Sequence, residues 1–204
     1  MYDEIATDEA INKTIAALKE HGVEAEAVNT GADALSKIKQ LIPAGVSVMN
    51  GGSVTLDQIG FIEYLKSTEQ PWNNLHAKIL AEPDQEKQAV LRKQTALSDY
   101  YLGSVHALSE TGEFLVASNT GSQLPHIVFT SPNLIFVVGA QKIVPTMTEA
   151  MRRLEEYVVP LEDARLMKVH NAHTMLSKVV LFLRENTRMG RKVHLIIVKE
   201  ILGF

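Results

Sequence analysis

A pair of glycines stands where the chain could bind an anion. The segment NGGSVT follows an apolar run and precedes a helical pattern. There, Gly51 and Gly52 would let backbone amides approach a phosphate or carboxylate, and the hydroxyls of Ser53 and Thr55 could add hydrogen bonds. The same residues would serve equally well as a plain turn in which Ser53 or Thr55 caps the helix. The segment has neither the P-loop spacing with its lysine nor the G-x-G-x-x-G fingerprint, which argues against ATP and NAD.

Polar residues after two later apolar runs could complete the same site. The turn SNTGSQLP contributes four candidate ligands: Asn119, Gly121, Ser122 and Gln123. Their amides and hydroxyls could bind a carboxylate or phosphate, although such residues are also common turn formers and helix caps. Lys142 follows the most apolar run of the chain, NLIFVVG, where its charge could neutralise an anion. Ligands of open α/β sheets gather at the carboxyl ends of the strands, so we place the anion at this pole.

His106 and Glu110 are the candidate acid and base. They fall on a predicted strand and its turn within GSVHALSETG, and their even spacing puts both on one strand face if the strand continues that far. Such a pair could transfer protons. The alternative is that His106 is a hydrogen-bonded core residue and that Glu110 is simply solvated.

No metal site or resident cofactor is predicted. His170 and His173 could share a helix face, but no fixed carboxylate or third histidine accompanies them. The chain has no cysteine, which excludes disulfides, thiolate catalysis and cysteine-bound iron–sulfur clusters.

The composition indicates one globular domain without nucleic-acid or membrane partners. The chain has 204 residues, 46% of them hydrophobic, which is enough for one substantial core. A net charge of −4 gives no positive field to hold a nucleic-acid backbone. No apolar run approaches the roughly 20 residues that span a bilayer. The start MYDE lacks the basic and apolar parts of a secretory signal, and we expect a cytoplasmic protein.

Helical and strand patterns alternate along the chain. Helical spacing occurs in Thr7 to His21, Gly31 to Ile42, Leu56 to Leu65, Glu86 to Tyr101 and Thr146 to Tyr157. Strands are predicted at Val23 to Val28, Val46 to Met49, Ser104 to Leu108, Phe114 to Ala117, Asn133 to Gly139 and His194 to Val198. This alternation predicts an α/β fold with a mostly parallel sheet, helices on both faces, and a β-hairpin insertion around Glu110. The polar segment Lys66 to Asp84 could form a lid or a partner surface.

Six segments, which follow one another over most of the chain, together form a distinctive sequence pattern. They are Asn50 to Phe61, Leu97 to Phe114, Asn119 to Pro125, Val137 to Pro145, Val158 to Leu166 and Val193 to Phe204. The combination of NGGSVT, SVHALSE, GSQLP and GAQKIV is far more specific than any one motif. On these segments the chain resembles the LUD domain (lactate utilization) family, and residues 1–204 are treated as a single LUD domain.

The resemblance implies both a fold and a role. The fold is the three-layer α/β/α arrangement of the ribose-5-phosphate isomerase, glucosamine-phosphate deaminase and CoA-transferase superfamily. Family members include components of a bacterial operon for L-lactate oxidation, in which companion subunits carry iron–sulfur clusters. We therefore expect a protein that binds a small anionic metabolite and supports L-lactate or organic-acid oxidation as a subunit or accessory factor. The iron–sulfur clusters would belong to its partners.

The superfamily also implies an alternative, which is a self-contained sugar-phosphate isomerase or CoA-transferase-like enzyme. Its members use a glutamate nucleophile or a carboxylate base, for which Glu110 is the nearest candidate, with Glu113 behind it and His106 assisting. Gly51 and its neighbours occupy the place of the superfamily's anion-binding glycine turn. Whether this chain is an enzyme stays open, and homodimerisation rests on superfamily analogy alone.

Overall fold

The computed structural model describes residues 2–204, which form eight α-helices and ten β-strands. The helices are α1 (Asp8–Glu20), α2 (Gly31–Leu41), α3 (Val54–Gln58), α4 (Phe61–Lys66), α5 (Leu75–Ala81), α6 (Gln85–Gln94), α7 (Met147–Arg153) and α8 (Val159–His170). The strands are β1 (Glu24–Val28), β2 (Ser47–Asn50), β3 (Asn73–Asn74), β4 (Tyr100–Gly103), β5 (Ala107–Ser109), β6 (Phe114–Ser118), β7 (Asn133–Gly139), β8 (Ile143–Val144), β9 (Lys178–Phe182) and β10 (Lys192–Val198). Two π-helical turns lie at His126–Thr130 and Leu154–Val158.

A six-stranded parallel sheet forms the centre of the molecule. Its strand order is β1-β10-β7-β4-β2-β3. Strands β7 and β10 pair over seven residues, from Asn133 with Lys192 to Gly139 with Val198. Successive β7 side chains enter different cores, with Phe136 on one face and Val137 on the other, and both are completely buried. Burial on both faces explains why this strand is a continuous apolar run.

Helices cover both faces of this sheet, so the predicted fold class is confirmed. On one face, α1 begins at its cap Thr7 and buries Ile11 and Leu18. On the other, α2, α3 and α4 pack on the sheet through such residues as Ile38 and Leu56.

A second sheet carries the predicted hairpin. Its order is β8-β5-β6-β9, with β5 antiparallel to β6 and β6 antiparallel to β9. One of its faces joins the α1 core through Phe114 and Phe182, whose rings stack at 4.5 Å. The other face packs through Leu115 against Leu154 and Val158, at the junction of α7 and α8. The predicted antiparallel hairpin therefore forms, and it lies in a second sheet beside the parallel one.

The predicted helix from Glu86 to Tyr101 is too long, and this is a correction. Helix α6 ends at Gln94, and the last residues of the prediction form β4, which pairs with both β2 and β7. Tyr101 and Leu102 are buried in opposite cores, and this twofold alternation overrides the helix propensity of the preceding residues. The Asp99 carboxylate fixes the start of β4 by accepting hydrogen bonds from the Ser47 backbone N–H at 2.8 Å and its hydroxyl at 2.6 Å.

Two other segments differ from their predictions. The helix expected from Leu56 to Leu65 is divided into α3 and α4. The strand expected from Ser104 to Leu108 forms later, as β5. Within residues 2–204, no helix is both long and apolar enough to cross a membrane.

Candidate functional site

A cavity of about 680 Å³ opens beyond the carboxyl ends of the central strands. Its polar wall contains the loop after β2, the residues after β4, the loop after β6 and the turn after β7. Parallel strands end at the same edge of a sheet, so segments that are distant in sequence meet there. A volume of this size is typical of small-molecule sites.

The glycine loop is built for close contact. A Cβ atom on Gly51 would collide with the Tyr101 hydroxyl and the Gln123 side-chain oxygen, so a larger residue there would have to displace both side chains. Ser53 caps α3, and its Oγ accepts from the Leu56 N–H at 3.2 Å. The capping alternative for Ser53 is therefore realised, while the residue also lines the cavity.

Lys142 is buried in the cavity wall, and its amine has no carboxylate partner among residues 2–204. The residue is only 3% exposed. Its Nζ donates to Thr55 Oγ1 at 3.1 Å, Ser104 Oγ at 3.1 Å and the Val105 carbonyl at 3.2 Å. No carboxylate of residues 2–204 forms an ion pair with it. Burial, together with the positive charge of Arg153, lowers the pKa of Lys142 from 10.5 to about 7.

Arg153 is a second buried cation on this side of the molecule. One guanidinium nitrogen donates to the His106 carbonyl, and the guanidinium lies 5.2 Å from the centre of the Tyr157 ring. Within the described part of the chain, Arg153 also lacks an ion-pair partner, and burial lowers its pKa to about 10. Two cations without acids make this region favourable for an anion.

His106 lies in the cavity wall as a neutral imidazole. Its Nδ1 accepts a hydrogen bond from the Ala117 N–H at 3.0 Å, which leaves the proton on Nε2. Burial, with the charges of Lys142 and Arg153, lowers its pKa to about 3. His106 can therefore donate a hydrogen bond to a ligand, but it is a poor proton acceptor at neutral pH.

A short chain of hydrogen bonds connects the two polar loops. The Tyr101 hydroxyl donates to Gln123 Oε1 at 3.1 Å, and Gln123 Nε2 donates to the Ala117 carbonyl at 3.1 Å. Burial raises the pKa of Tyr101, so its hydroxyl keeps its proton. This chain fixes the loop after β6 against Gly51.

The cavity rim is partly charged and partly apolar. Arg165 and Glu162 form a bidentate ion pair, in which both N···O distances are 2.7 Å. Lys66 is exposed on the rim and makes no ion pair within residues 2–204. Apolar side chains from the α7–α8 junction, from the segment before β9 and from the last residue also line the cavity: Leu154, Val158, Met175, Leu176 and Phe204.

The structure brings together most of the residues predicted from sequence. Those that line the cavity are Gly51, Gly52, Ser53, Thr55, His106, Asn119, Gln123 and Lys142. Gly121 and Ser122 do not line it. They form the turn itself, where the Gly121 N–H donates to Ser118 Oγ at 3.0 Å and the Ser122 N–H to Thr120 Oγ1 at 3.3 Å. Whether any of these residues binds a ligand remains a prediction.

Glu110 lies outside the cavity, and its expected pairing with His106 is not formed. Its carboxylate is 2.9 Å from the Lys13 Nζ on α1, and its backbone N–H donates to Val144. The even spacing required β5 to continue, but the strand ends at Ser109 and turns, with the Gly112 N–H donating to the Ser109 carbonyl. The alternation of side chains therefore stops before Glu110.

Sequence reasoning missed His76 and Ser104, both in the cavity wall. His76 comes from α5, within the polar segment expected to be a lid or a partner surface, and its Nδ1 lies 3.2 Å from Asn50 Oδ1. Burial and the charge of Arg92 lower its pKa. The docking of this segment was indicated by Trp72, which is 5% exposed and donates from Nε1 to the Ile42 carbonyl. Ser104 begins the motif SVHALSE without being named as a site residue, and no quoted motif contains His76.

Residues 2–204 contain no cluster of metal-ligating side chains. Among residues 2–204 there is no group of three or more histidine, cysteine, aspartate or glutamate side chains that could bind a metal ion. His173 instead lies 3.0 Å from an Asp163 carboxylate oxygen.

Comparisons with known proteins agree with this architecture. The sequence model described as the LUD domain matches residues 11–198. A crystal structure of a DUF162 family protein from Deinococcus radiodurans superposes with a TM-score of 0.58 at 12% identity, covering 96% of this chain and 99% of that one. That identity supports a likeness of fold alone. A search of curated proteins finds no match.

Proposed function

This chain belongs to the LUD domain family, and on that premise we propose that it binds a small anionic metabolite in the cavity. We further propose that it supports the oxidation of L-lactate or a related organic acid, as a subunit or accessory factor. The chain contains no cysteine, so the iron–sulfur clusters of such a system would belong to partner subunits.

The observation that carries the proposal is the buried Lys142. A charged amine with only neutral partners is costly to bury, because no opposite charge offsets its lost hydration. An anion in the cavity would supply that charge. Arg153, which also has no acidic partner among residues 2–204, strengthens the local positive potential. A carboxylate would further meet Gly52 and Ser53 on the same polar wall.

Thermal unfolding tests this proposal directly. The purified protein is melted with L-lactate, pyruvate, glycolate, inorganic phosphate and larger organic acids, since the cavity of about 680 Å³ leaves room beyond lactate. A ligand at about 100 times its Kd stabilises a fold by about 2.7 kcal/mol, which raises Tm by several degrees. We expect such a shift with at least one carboxylate.

Matched variants localise the effect. Lys142→Met removes the buried charge at similar volume and should abolish the shift. Lys13→Met, in which the lost lysine pairs with Glu110 outside the cavity, should keep it. An undiminished shift in Lys142→Met would contradict the site, and no shift with any acid would contradict the binding function.

The position of Glu110 does not favour the self-contained enzyme. An isomerase or transferase of the expected kind needs a carboxylate that contacts its substrate. Glu162, a carboxylate on the cavity rim, is already paired with Arg165.

A further inference from the structure

The cavity is much larger than a short organic acid, and much of its wall is apolar. Its volume of about 680 Å³ equals that of roughly 20 liquid waters at about 30 Å³ each, of which lactate would displace only a few. We propose that the cavity binds a carboxylic acid with a hydrocarbon body of medium length, whose carboxylate lies at the polar wall and whose body lies along the apolar walls. This inference rests on the proposed function and narrows its anionic metabolite to amphiphilic acids larger than lactate.

One apolar wall comes from α4 and α5, and we call it the α4–α5 wall. Leu65 belongs to the core that α2, α3 and α4 form with the central sheet, and Ile62 packs against that core. Leu80 of α5 completes this wall and is 64% exposed, although it is a large apolar side chain. The α4–α5 wall therefore has a fixed base and an apolar side chain that a ligand could cover.

A second apolar wall comes from the α7–α8 junction and the segment before β9, and we call it the α7–β9 wall. Leu154 and Val158 belong to the core beneath the second sheet, so their positions are fixed by packing. Met175 lines the cavity on this wall and is 67% exposed. The two walls thus have the same design, although they belong to different cores.

The exposed side chains of the two walls favour a ligand with a hydrocarbon body. A short acid at the polar wall would leave Leu80 and Met175 in water. A hydrocarbon chain or ring that covers them removes apolar surface from water on both molecules, which favours binding. Ligand sites are commonly lined by apolar side chains with a few polar groups that fix the orientation.

The polar wall offers a free hydrogen-bond donor for the carboxylate. His106 carries its proton on Nε2, which has no acceptor among residues 2–204 and is not cut off from solvent. The protons of Lys142 Nζ already point to three protein oxygens, so Lys142 acts on the ligand through its charge and His106 acts through its N–H. Arg153, which directly precedes Leu154, donates to the His106 carbonyl. The α7–β9 wall therefore begins beside the place of the carboxylate.

A series of acids with one head group and bodies of increasing length tests the inference. Isothermal titration calorimetry of the wild-type protein measures the Kd of L-lactate, 2-hydroxyhexanoate and 2-hydroxyoctanoate. Each CH₂ group that becomes buried should tighten binding about fourfold, which corresponds to about 0.8 kcal/mol. We therefore expect the Kd to fall along the series, by on the order of tenfold between the last two acids. 1-Octanol, which has no carboxylate, should bind far more weakly than 2-hydroxyoctanoate.

Matched double variants locate the hydrocarbon body. Leu80→Gln with Met175→Gln makes both apolar walls polar at exposed positions, and it should weaken the binding of 2-hydroxyoctanoate by on the order of tenfold while leaving that of L-lactate unchanged. Leu97→Gln with Met189→Gln is the control. It removes a leucine and a methionine that are also exposed but lie outside the cavity, and it should change neither Kd.

The outcomes are distinguishable. Equal Kd values for the three acids overturn the inference and leave the binding function standing. A chain-length effect that survives in Leu80→Gln/Met175→Gln places the hydrocarbon body elsewhere and also overturns it, as does 1-octanol that binds as tightly as the acid. The wild-type series needs no variant and is independent of any folding defect. Neither heat nor a Tm shift with any of the acids counts against the binding function itself.

Discussion

Lys142 contributes an unusual pH dependence to the stability of the fold. In the folded protein its pKa is about 7, whereas its ordinary value is 10.5. Between these pH values the folded state has lost the proton and the unfolded chain still binds it, so unfolding takes up a proton. Stability therefore rises with pH in this window, by about 1.4 kcal/mol per pH unit. Below the window both states are protonated, and the contribution is constant.

We expect Lys142→Met to lose this rise in stability. Urea unfolding at several pH values from about 6 to 9 would measure the slope of unfolding free energy against pH in both proteins. Lys66→Met is the control, because it removes an exposed lysine beside the same cavity. Equal slopes in the wild type and Lys142→Met would show that the amine keeps its proton throughout.

The sequence identified some site residues and misplaced others for a physical reason. Lys142 and the glycine loop follow buried parallel strands, and the common direction of those strands brings their ends together. The prediction for Glu110 depends on alternation along a strand, which fails once the strand turns at Ser109. The burial of Lys142 among neutral oxygens depends on Ser104 and Thr55, whose convergence no local pattern reports.

Among the helices and strands, the turn between β5 and β6 is locked against α1. Gly112 has a φ of +95°, and a Cβ there would lie 2.8 Å from the Ala17 carbonyl carbon and 2.9 Å from its oxygen. Both obstacles are helix backbone, which cannot move aside as a side chain can.

We expect Gly112→Ala to destabilise the protein more than Gly45→Ala does. Gly45 has a similar φ of +81°, and no atom lies within 4 Å of the place a Cβ would take, so it isolates the backbone cost, about 1 to 2 kcal/mol. Steric overlap should add about 1 to 3 kcal/mol at Gly112. Denaturant unfolding measures both, and equal losses would mean that α1 yields to the extra methyl group.

Whether a segment forms a helix or a strand was predictable where its apolar residues are regularly spaced and capping or turn residues mark its ends. Helix α1 begins after its cap Thr7, and β7 coincides with its predicted run. The strand β4 was hidden because strong helix formers precede it and its pairing partners, β2 and β7, lie far away in sequence. The π-helical turn at Leu154–Val158 has no signature that distinguishes it from an α-helix.

Across the folded chain, protection against hydrogen exchange should follow the two sheets. Strands β7 and β10 are paired on both sides within the parallel sheet and buried on both faces, so their amides should exchange only on global unfolding. Strand β9 is an edge of the second sheet, and its Val179 and Leu181 are exposed. We expect its amides to exchange faster.

Mass-spectrometric exchange on peptides covering 133–139, 192–198 and 178–182 would measure this order. The α/β class predicted from sequence implies only that the central strands are the apolar ones. The second sheet was not predicted, because β8 has two residues and β9 pairs with β6, from which β7, β8, α7 and α8 separate it in sequence. Comparable protection of β9 and β10 would mean that the two sheets unfold as one unit.

The place of β10 in the sheet has a consequence for biosynthesis. This strand lies between β1 and β7, yet it is made after both of them. Because the ribosome adds about 5–20 residues per second, β10 is completed roughly ten seconds or more after β1. During that time the edges of β1 and β7 that pair with β10 are unpaired on the nascent chain, and unpaired strand edges can pair with other chains. Slower, cooler expression and chaperone supply should therefore govern the yield of folded protein more than the stability of the finished fold does.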